Sequence, residues 1–394
     1  MGQFEYNNKV ELSYILGSTE TEIPYESISF VTIKSDFDTS NMPVIFVSMN
    51  MEYKLYDSIL NNIGSGMFRL SIKRYNRNSL SPVQHGDISG LFTYMIPTDH
   101  EYNKNLIQQD DNNTSYKKGT VALLSMDIIN NNRKVFNSII KNSNPISIVH
   151  KFTSHMNMII EPFTNNKISK RVIIPPISTV TGLLKYLNND THFYNTKYRF
   201  FRDFDRSYLL SSSGNAVPDK DSEYSTVILN ILDPSESSSN YSGYDINKSA
   251  RAYILNISAT DTSMNVDTSY DLQCNKLVSF KYHTSTDELE VDERILKNGL
   301  RDDGIERCAI KYASNTRAKI MADELDSVSV IINISRSDMD TSILTPNKEF
   351  IVKNYEENKQ YDGRYLLSYK KEIMTQQGED FISNVVFGLR KVSE

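Results

Sequence analysis

The chain has 394 residues, of which 39% are hydrophobic and 23% are charged, so it is long enough for two or three domains with buried cores. A formal net charge of −6 argues against a general nucleic-acid or membrane-surface binder, because such proteins are normally basic. No run of about 18 apolar residues occurs, and the N-terminus lacks the apolar segment of a signal peptide. We therefore expect neither a transmembrane helix nor a secretion signal.

The cysteine content points to a reducing compartment. Only Cys274 and Cys308 are present, which is too few for a disulfide framework. We expect both to be reduced thiols in a chain that folds in the cytoplasm.

The first 165 residues predict a β-rich domain. Phe68, Leu70 and Ile72 alternate with polar residues, the period of a half-buried strand. Similar short runs predict strands at 9–16, 28–33, 44–51, 67–75, 89–96, 120–127 and 146–151. Many short strands at this spacing are typical of a barrel or sandwich.

Two short helices and one polar loop are predicted among these strands. Residues 53–63 place Leu55, Ile59 and Leu60 on one helical face, with Gly64 as the C-cap. Residues 133–140 are predicted as the other helix. Residues 98–119 are rich in Asp, Asn, Lys and Gln and predict an exposed loop.

A helix followed by an aromatic hairpin is predicted between residues 173 and 211. Pro175-Pro176 interrupts the preceding segment, and Ser178 can cap a helix. The apolar face of that helix, over residues 178–189, is formed by Val180, Leu183, Leu184 and Leu187. We expect this face to pack against a barrel. Two strands, at 193–201 and 208–211, follow and are joined by an Asp-Phe-Asp-Arg turn.

The C-terminal half also reads as strands, with polar interruptions. Residues 212–225 and 233–245 predict loops, and residues 284–315 are charged and predict irregular structure. A helix is predicted at 316–326. Strands are predicted at 226–232, 251–259, 328–334, 349–354, 365–373 and 380–390, with Asp362-Gly363 and Gly378 in turns. The last three strands read as a successive antiparallel set.

No combination of residues predicts a metal or phosphate site. His150 and His155 are five residues apart, which suits neither one strand face nor one helix face. Asp110-Asp111 and Asp302-Asp303 lack the spacing of a calcium loop. Gly64-Ser65-Gly66 lacks the remaining glycines and the lysine of a phosphate loop, so a turn explains it. We expect no metal and no cofactor.

Catalytic residues are not predicted either. Asp203 and Asp205 could resemble a glycosidase pair, but in a turn we expect them to be hydrated and inactive. A basic–aromatic patch at the same hairpin could contact nucleic acid, although an interface or a solvated edge explains it better; it consists of Arg199, Arg202, Arg206, Phe200, Phe201 and Phe204. We expect the chain not to be an enzyme.

The helix and hairpin at 178–211, with the tail from 316 to 391, resemble the two-barrel tail hub proteins of phages and the hub part of type VI secretion spike proteins. The resemblance implies a mainly β fold of two tube-type barrels joined by a helix–hairpin element. It implies domains at 1–165, 166–218 and 219–394, the last with a charged insertion at about 284–326. We expect any spike to be a separate protein.

The same resemblance implies a structural virion protein of the tail baseplate, assembled in the bacterial cytoplasm. It implies a homotrimeric ring that adapts a six-fold tail tube to a three-fold spike and lines a channel for DNA or tape-measure protein. The implied partners are the tail tube, central spike, baseplate wedge and tape-measure proteins, with only transient DNA contact and no membrane insertion.

Two other functions remain open from the sequence. A receptor- or carbohydrate-binding tail protein could use the 24 tyrosines to stack sugars. A peptidoglycan hydrolase would need an acid–base pair, which the sequence does not display.

Overall fold

A computed structural model provides the structure of this chain. It describes residues 6–76, 86–97, 116–219, 225–232, 250–256, 262–267, 276–283, 288–295, 308–311, 329–336, 343–354 and 362–392. For the strands between residues 230 and 342 it describes the backbone only. The prediction of a mainly β fold is confirmed.

The N-terminal strands build a closed barrel. They are β1 (Tyr6–Leu16), β2 (Thr19–Ile23), β3 (Ile28–Asp36), β4 (Val44–Glu52), β5 (Met67–Asn76), β6 (Ile88–Met95) and β7 (Tyr116–Ser125). A hairpin from the C-terminal end, β21 (Gly363–Gln377) and β22 (Asp380–Lys391), completes it. The ring runs β22-β1-β5-β6-β7-β4-β3-β21 and returns to β22, while β2 pairs only with β1. Closure removes the open sheet edges.

Alternating side chains fill this barrel as the sequence predicts. Phe68, Leu70 and Ile72 are fully buried, whereas Arg69 and Lys73 point outward. Together with Met374 and Phe381 of the closing hairpin, such residues form the first core. Helix α1 (Tyr53–Asn61) buries Ile59 against it and leaves Leu60 partly exposed. The predicted turn at Gly64-Ser65-Gly66 follows, with the Ser65 and Gly66 N–H groups bonded to Asn62 O.

A second sheet shares the closing hairpin. Its other strands are β13 (Thr226–Leu232), β14 (Ala250–Asn256), β15 (Thr262–Asp267), β19 (Ser329–Arg336) and β20 (Glu349–Asn354). They run in the order β14-β13-β20-β21-β22-β19-β15, with β13 parallel to both β14 and β20. The prediction that β20, β21 and β22 are successive antiparallel strands is confirmed.

The prediction of irregular structure at 284–315 is wrong for two segments. A separate three-stranded sheet contains β16 (Lys276–His283), β17 (Glu288–Ile295) and β18 (Cys308–Lys311). At the start of β17, Leu289 and Val291 alternate with acidic residues, a two-residue period that is typical of a strand. The predicted helix at 316–326 and the predicted loop at 233–245 lie outside the described residues, as does most of the loop at 98–119, whose last residues belong to β7.

Each strand of the closing hairpin pairs with one strand of the barrel and with one strand of the second sheet. In β21, residues 369–375 pair with β3 and residues 363–365 extend the pairing toward β20. In β22, residues 381–382 face β1 and residues 385–390 face β19. The first barrel therefore contains residues far beyond position 165. The domain boundaries at 1–165, 166–218 and 219–394 stay a prediction.

In the chain, a smaller unit with its own core follows the N-terminal barrel strands and precedes the second sheet. Its elements are α2 (Met126–Asn132), β8 (Arg133–Ser143), α3 (Pro145–Thr153), β9 (Met158–Ile160), β10 (Ser169–Thr179), α4 (Val180–Thr191), β11 (Tyr198–Arg202) and β12 (Ser207–Ser211). Strands β8 and β10 form a two-stranded ribbon, and β11, β12 and β9 form a small sheet. None of the described helices is long and apolar enough to span a bilayer.

Two predictions in this unit are wrong: the segment predicted as a helix is a strand, and the segment predicted as a strand is a helix. The predicted helix at 133–140 is strand β8, and the predicted strand at 146–151 is helix α3. The Asn144 side chain accepts the Ser147 N–H at 3.0 Å, and Pro145 occupies the first turn, so a helix begins there. Short apolar runs do not by themselves distinguish the two states.

Strand β10 continues through Pro175-Pro176, which the sequence predicts as an interruption. It pairs only with β8, and the register shifts between Ile174 and Ile177. An edge strand with an irregular register can accommodate residues that lack an N–H group.

Helix α4 is present with its predicted apolar face. Thr179 caps it in place of Ser178, accepting the Gly182 N–H at 3.0 Å. The whole stripe is buried, with Leu183 and Leu184 fully inaccessible. It packs, with α3, β8 and β10, into the core of the connecting unit, which we call the third core after those of the barrel and of the second sheet, and not against a barrel as predicted.

We expect Leu184→Ala to lower the free energy of unfolding by about 2–5 kcal/mol, because it removes a fully buried side chain from the third core. Lys185→Ala, on the exposed face of the same helix, is the control and should change stability little. Urea denaturation of both variants measures the difference. Equal midpoints would show that this helix is not held by its apolar stripe.

A buried polar network lies where the first core ends along the closing hairpin. Arg74 Nη2 contacts Glu372 Oε2 at 2.5 Å, Ser383 Oγ donates to Glu372 Oε1 at 2.8 Å, and Asn8 Nδ2 donates to Ser383 Oγ at 2.8 Å. Burial alone would raise the pKa of Glu372, but Arg74, Lys370 and the Ser383 hydrogen bond together hold it below its usual value.

We expect Glu372→Gln to destabilise the chain by about 3–5 kcal/mol at neutral pH, because Arg74 would lose its buried counter-charge. The depressed pKa means that the ionised Glu372 stabilises the fold above its unfolded-state pKa of about 4.3. That contribution is lost as pH falls through the folded-state pKa. Unfolding curves from pH 7 downward should therefore show the two proteins converging below about pH 4.3. Glu379→Gln, at the exposed hairpin turn, is the control.

Candidate functional site at the junction of the three cores

The residues considered for catalysis do not form a site. His150 and His155 are both exposed, and burial with the Lys134 charge lowers the pKa of His155. Within the described residues, no group of three metal-ligating side chains occurs. Asp110, Asp111, Asp302 and Asp303 lie outside the described residues, as do the side chains of both cysteines.

Asp203 and Asp205 lie in the turn of the β11–β12 hairpin. The Asp203 N–H closes this turn by donating a hydrogen bond to Arg206 O at 2.7 Å. Burial raises the pKa of Asp203, and the charges of Lys370 and Arg74 oppose that increase. Asp205 is exposed and lies 3.4 Å from Arg206. The two carboxylates thus have different environments, and Asp203 is not the hydrated group that the sequence suggests.

The aromatic hairpin β11–β12 contacts all three cores. Successive residues alternate: Phe200 and Leu209 belong to the third core, whereas Phe201, Tyr208 and Leu210 belong to the second core, which is that of the second sheet. At the hairpin tip, Phe204 packs on the first core, with its ring centroid 6.4 Å from that of Phe92. This hairpin therefore connects the three cores through apolar contacts, and we call it the apolar joint.

A charged cluster around Asp38 lies beside this joint. Asp38 Oδ1 lies 3.0 Å from Arg390 Nη2 and 3.6 Å from Arg199 Nη1, and Asp38 Oδ2 accepts the Ser368 hydroxyl. Arg199 also donates to Leu367 O at 3.0 Å. The cluster connects the β3–β4 loop, the aromatic hairpin and the closing hairpin.

Backbone and ring contacts follow the same path. The Phe37 N–H donates to Ser368 O at 2.8 Å, and the Phe37 ring lies 4.6 Å from that of Phe201. The Arg202 N–H donates to Asn41 O at 2.9 Å. The loop between β3 and β4 is thereby attached to both hairpins.

The predicted basic–aromatic patch is therefore not a surface for nucleic acid. Arg199 is buried, and burial lowers its pKa against the opposing Asp38 charge. Arg206 pairs with Asp219 and Asp205. Burial also lowers the pKa of the partly exposed Arg202. The sequence does not reveal this role, because the partners of Arg199 lie more than 140 positions away in both directions of the chain.

We expect Arg199→Met to reduce the free energy of unfolding by about 1–3 kcal/mol, because it removes a buried guanidinium that pairs with Asp38 and leaves the Leu367 carbonyl without this donor. Arg171→Met, on the exposed face of β10, is the matched control. Calorimetry and limited proteolysis measure the effect. If both variants melted together, Asp38 would be satisfied without Arg199.

The arrangement as a whole matches known tail proteins in fold. A tail protein from Neisseria meningitidis MC58 aligns with a TM-score of 0.50 and 10% identity, covering 97% of each chain. A 43 kDa tail protein of prophage MuSo2 from Shewanella oneidensis aligns with a TM-score of 0.50 and 10% identity, covering 97% of this chain and 96% of the other. The expected likeness to two-barrel tail proteins is confirmed for the fold. No curated protein matches the chain at a significant level.

A family model matches nearly the whole chain, from residue 5 to residue 392. The match includes the barrel, the connecting unit and the closing hairpin described above. The chain belongs to the family of the bacteriophage PBS1 gene 109 protein.

Proposed function

We propose that this chain is a structural hub protein of a phage tail baseplate. The observation that carries the proposal is the closing hairpin, which joins a closed barrel and a second sheet through continuous backbone pairing. The overall likeness to two tail proteins supports it, since the alignment extends over nearly the entire chain. The described residues display no metal cluster or paired catalytic carboxylates that would favour an enzyme.

In this proposal three copies form a ring. Each copy contributes two sheet units, the closed barrel and the second sheet, so three copies would offer six units to a six-fold tail tube and a three-fold face to a central spike. Closed rings of this kind follow from repeated head-to-tail contacts between subunits. The ring lines a channel for DNA or tape-measure protein, and the remaining partners are the baseplate wedge proteins. The protein then resides in the virion tail.

A sugar-binding role has less support from the described tyrosines. Tyr14, Tyr94, Tyr194, Tyr208 and Tyr365 are buried and belong to the cores. Tyr53 and Tyr116 are exposed, and Tyr116 pairs with Glu52, the residue before Tyr53, so these are the tyrosines that a glycan-binding assay would test first. Stacking of a sugar would need an accessible aromatic face.

We expect copies of this chain to lie in a ring at the tail tip, in a multiple of three. Electron microscopy of phage particles carrying an epitope after residue 394, labelled with an antibody fragment, locates the chain, and quantitative mass spectrometry against the tube protein counts it. Label on the head, or one copy per particle, would contradict the proposal.

Activity assays with the purified chain provide a second comparison. We expect no clearing of cell-wall gels and no selective glycan binding. Clearing that disappears in Asp203→Ala would favour the hydrolase, and glycan binding that disappears in Tyr116→Ala would favour the carbohydrate-binding alternative.

A further inference from the structure

The β8–β10 ribbon has one face that packs on the protein and one that does not. On the inner face, Phe136 and Ile174 are buried in the third core. On the outer face, Val135, Ile139 and Ile173 are 78%, 61% and 57% exposed. Because every second residue of a strand shares a face, these three side chains project to the same side.

The exposed isoleucines are direct neighbours. Ile139 and Ile173 are cross-strand partners in the antiparallel register, so they form one apolar patch with Val135 along β8. Cross-strand pairs of β-branched residues stabilise sheets and usually lie on a buried face. An exposed apolar patch with a polar rim is typical of a protein interaction surface.

The charged residues of the two strands are all basic, and three of them share the outer face with this patch. The strands contain Arg133, Lys134, Lys141, Lys170 and Arg171 and no acidic residue, and all five are exposed. By the two-residue period of a strand, Arg133, Lys141 and Arg171 lie on the face of Ile139 and Ile173, whereas Lys134 and Lys170 lie on the other face. None of the five forms an ion pair with a carboxylate among the described residues. Since the whole chain has a net charge of −6 and the ribbon contributes +5, the remaining residues carry −11.

The basic ribbon and the acidic remainder of the chain are complementary in charge, so two copies of the chain can attract each other. A basic ribbon on one copy and an acidic remainder on the next attract each other, and charge complementarity of this kind directs and aligns association. A contact between two different surfaces of identical chains is heterologous, and it generates a ring when the rotation closes.

We propose that the outer face of the β8–β10 ribbon docks on the acidic surface of a second copy of this chain. The inference rests on the proposed ring and names the surface that would hold neighbouring copies together. The isoleucine pair supplies the dry centre of the contact, and the three outer-face cations Arg133, Lys141 and Arg171 supply its rim. Duplex DNA would engage the cations but has no apolar counterpart for the isoleucines, so the patch favours protein.

Photo-crosslinking tests the contact in the full-length chain. Benzoylphenylalanine is placed at position 139 in one sample and at position 116, an exposed site on β7, in the control. Mixing unlabelled and ¹⁵N-labelled protein at high concentration identifies crosslinks between copies. We expect position 139 to crosslink to acidic segments of a second copy, position 116 to do so far less, and the yield to fall as salt is raised.

Variants then separate the apolar centre from the charged rim. Ile139→Ser combined with Ile173→Ser should weaken self-association in sedimentation equilibrium by about tenfold, because a few central residues carry most of the binding energy of an interface. Lys141→Glu combined with Arg171→Glu should weaken it and reduce its salt dependence. Leu91→Ser, which removes another exposed apolar side chain, should leave it unchanged. Melting curves confirm that each variant is folded.

Three results would overturn the inference. They are crosslinks from position 139 only to its own chain, self-association unaffected by the isoleucine variants, and binding of duplex DNA that is lost in the charge-reversal variant while self-association persists. A ring of three copies at the tail tip with an uncrosslinked ribbon would retain the proposed function and reject this interface alone.

Discussion

The structure depends on the closing hairpin formed by β21 and β22. Its two strands satisfy the hydrogen bonds of strands from both ends of the chain, β3 and β1 on one half and β20 and β19 on the other. An edge strand left without its partner exposes unpaired backbone groups, so loss of the hairpin would open both sheets. The two sheet units are therefore parts of one continuous hydrogen-bonded sheet system.

Buried and half-buried charges lie where the cores meet along this hairpin. Arg74 and Glu372 lie beyond the last residues of the first core, and Asp38 with Arg199 and Arg390 lies beside the second. A buried ion pair contributes little net stability compared with an apolar replacement, but removing one member is costly. We infer that these groups fix one register and one orientation of the sheets. The aromatic hairpin adds apolar contacts to the same junction, since its alternate residues enter two cores and its tip reaches a third.

This arrangement leaves the connecting unit with a distinct position in the molecule. Its inner side supports the joint, while the outer face of its ribbon presents an apolar pair within a basic rim. The proposed hub function requires a chain that holds its own halves rigidly and contacts identical neighbours. The buried inner side of this unit would serve the first requirement, and the proposed docking face of the ribbon would serve the second.

Elements with a long or strongly bounded side-chain period can be predicted from the sequence. They include the alternation around Phe68, the four-residue apolar stripe of α4 and the three C-terminal strands, because the local period reflects which face is buried. The segments at 133–140 and 146–151 exchange their predicted states, since each is too short for its period to distinguish helix from strand and the Asn144 cap starts the helix. Only the three-dimensional packing shows that Leu184 belongs to a third core, that Arg199 is an internal ion-pair partner, and that β21 and β22 belong to both sheets. The Arg199 ion pair and the pairing of β21 with β3 join residues more than 100 positions apart, and the third core gathers side chains from several elements between residues 136 and 209. No local pattern shows which other strand, helix or charge will become the partner.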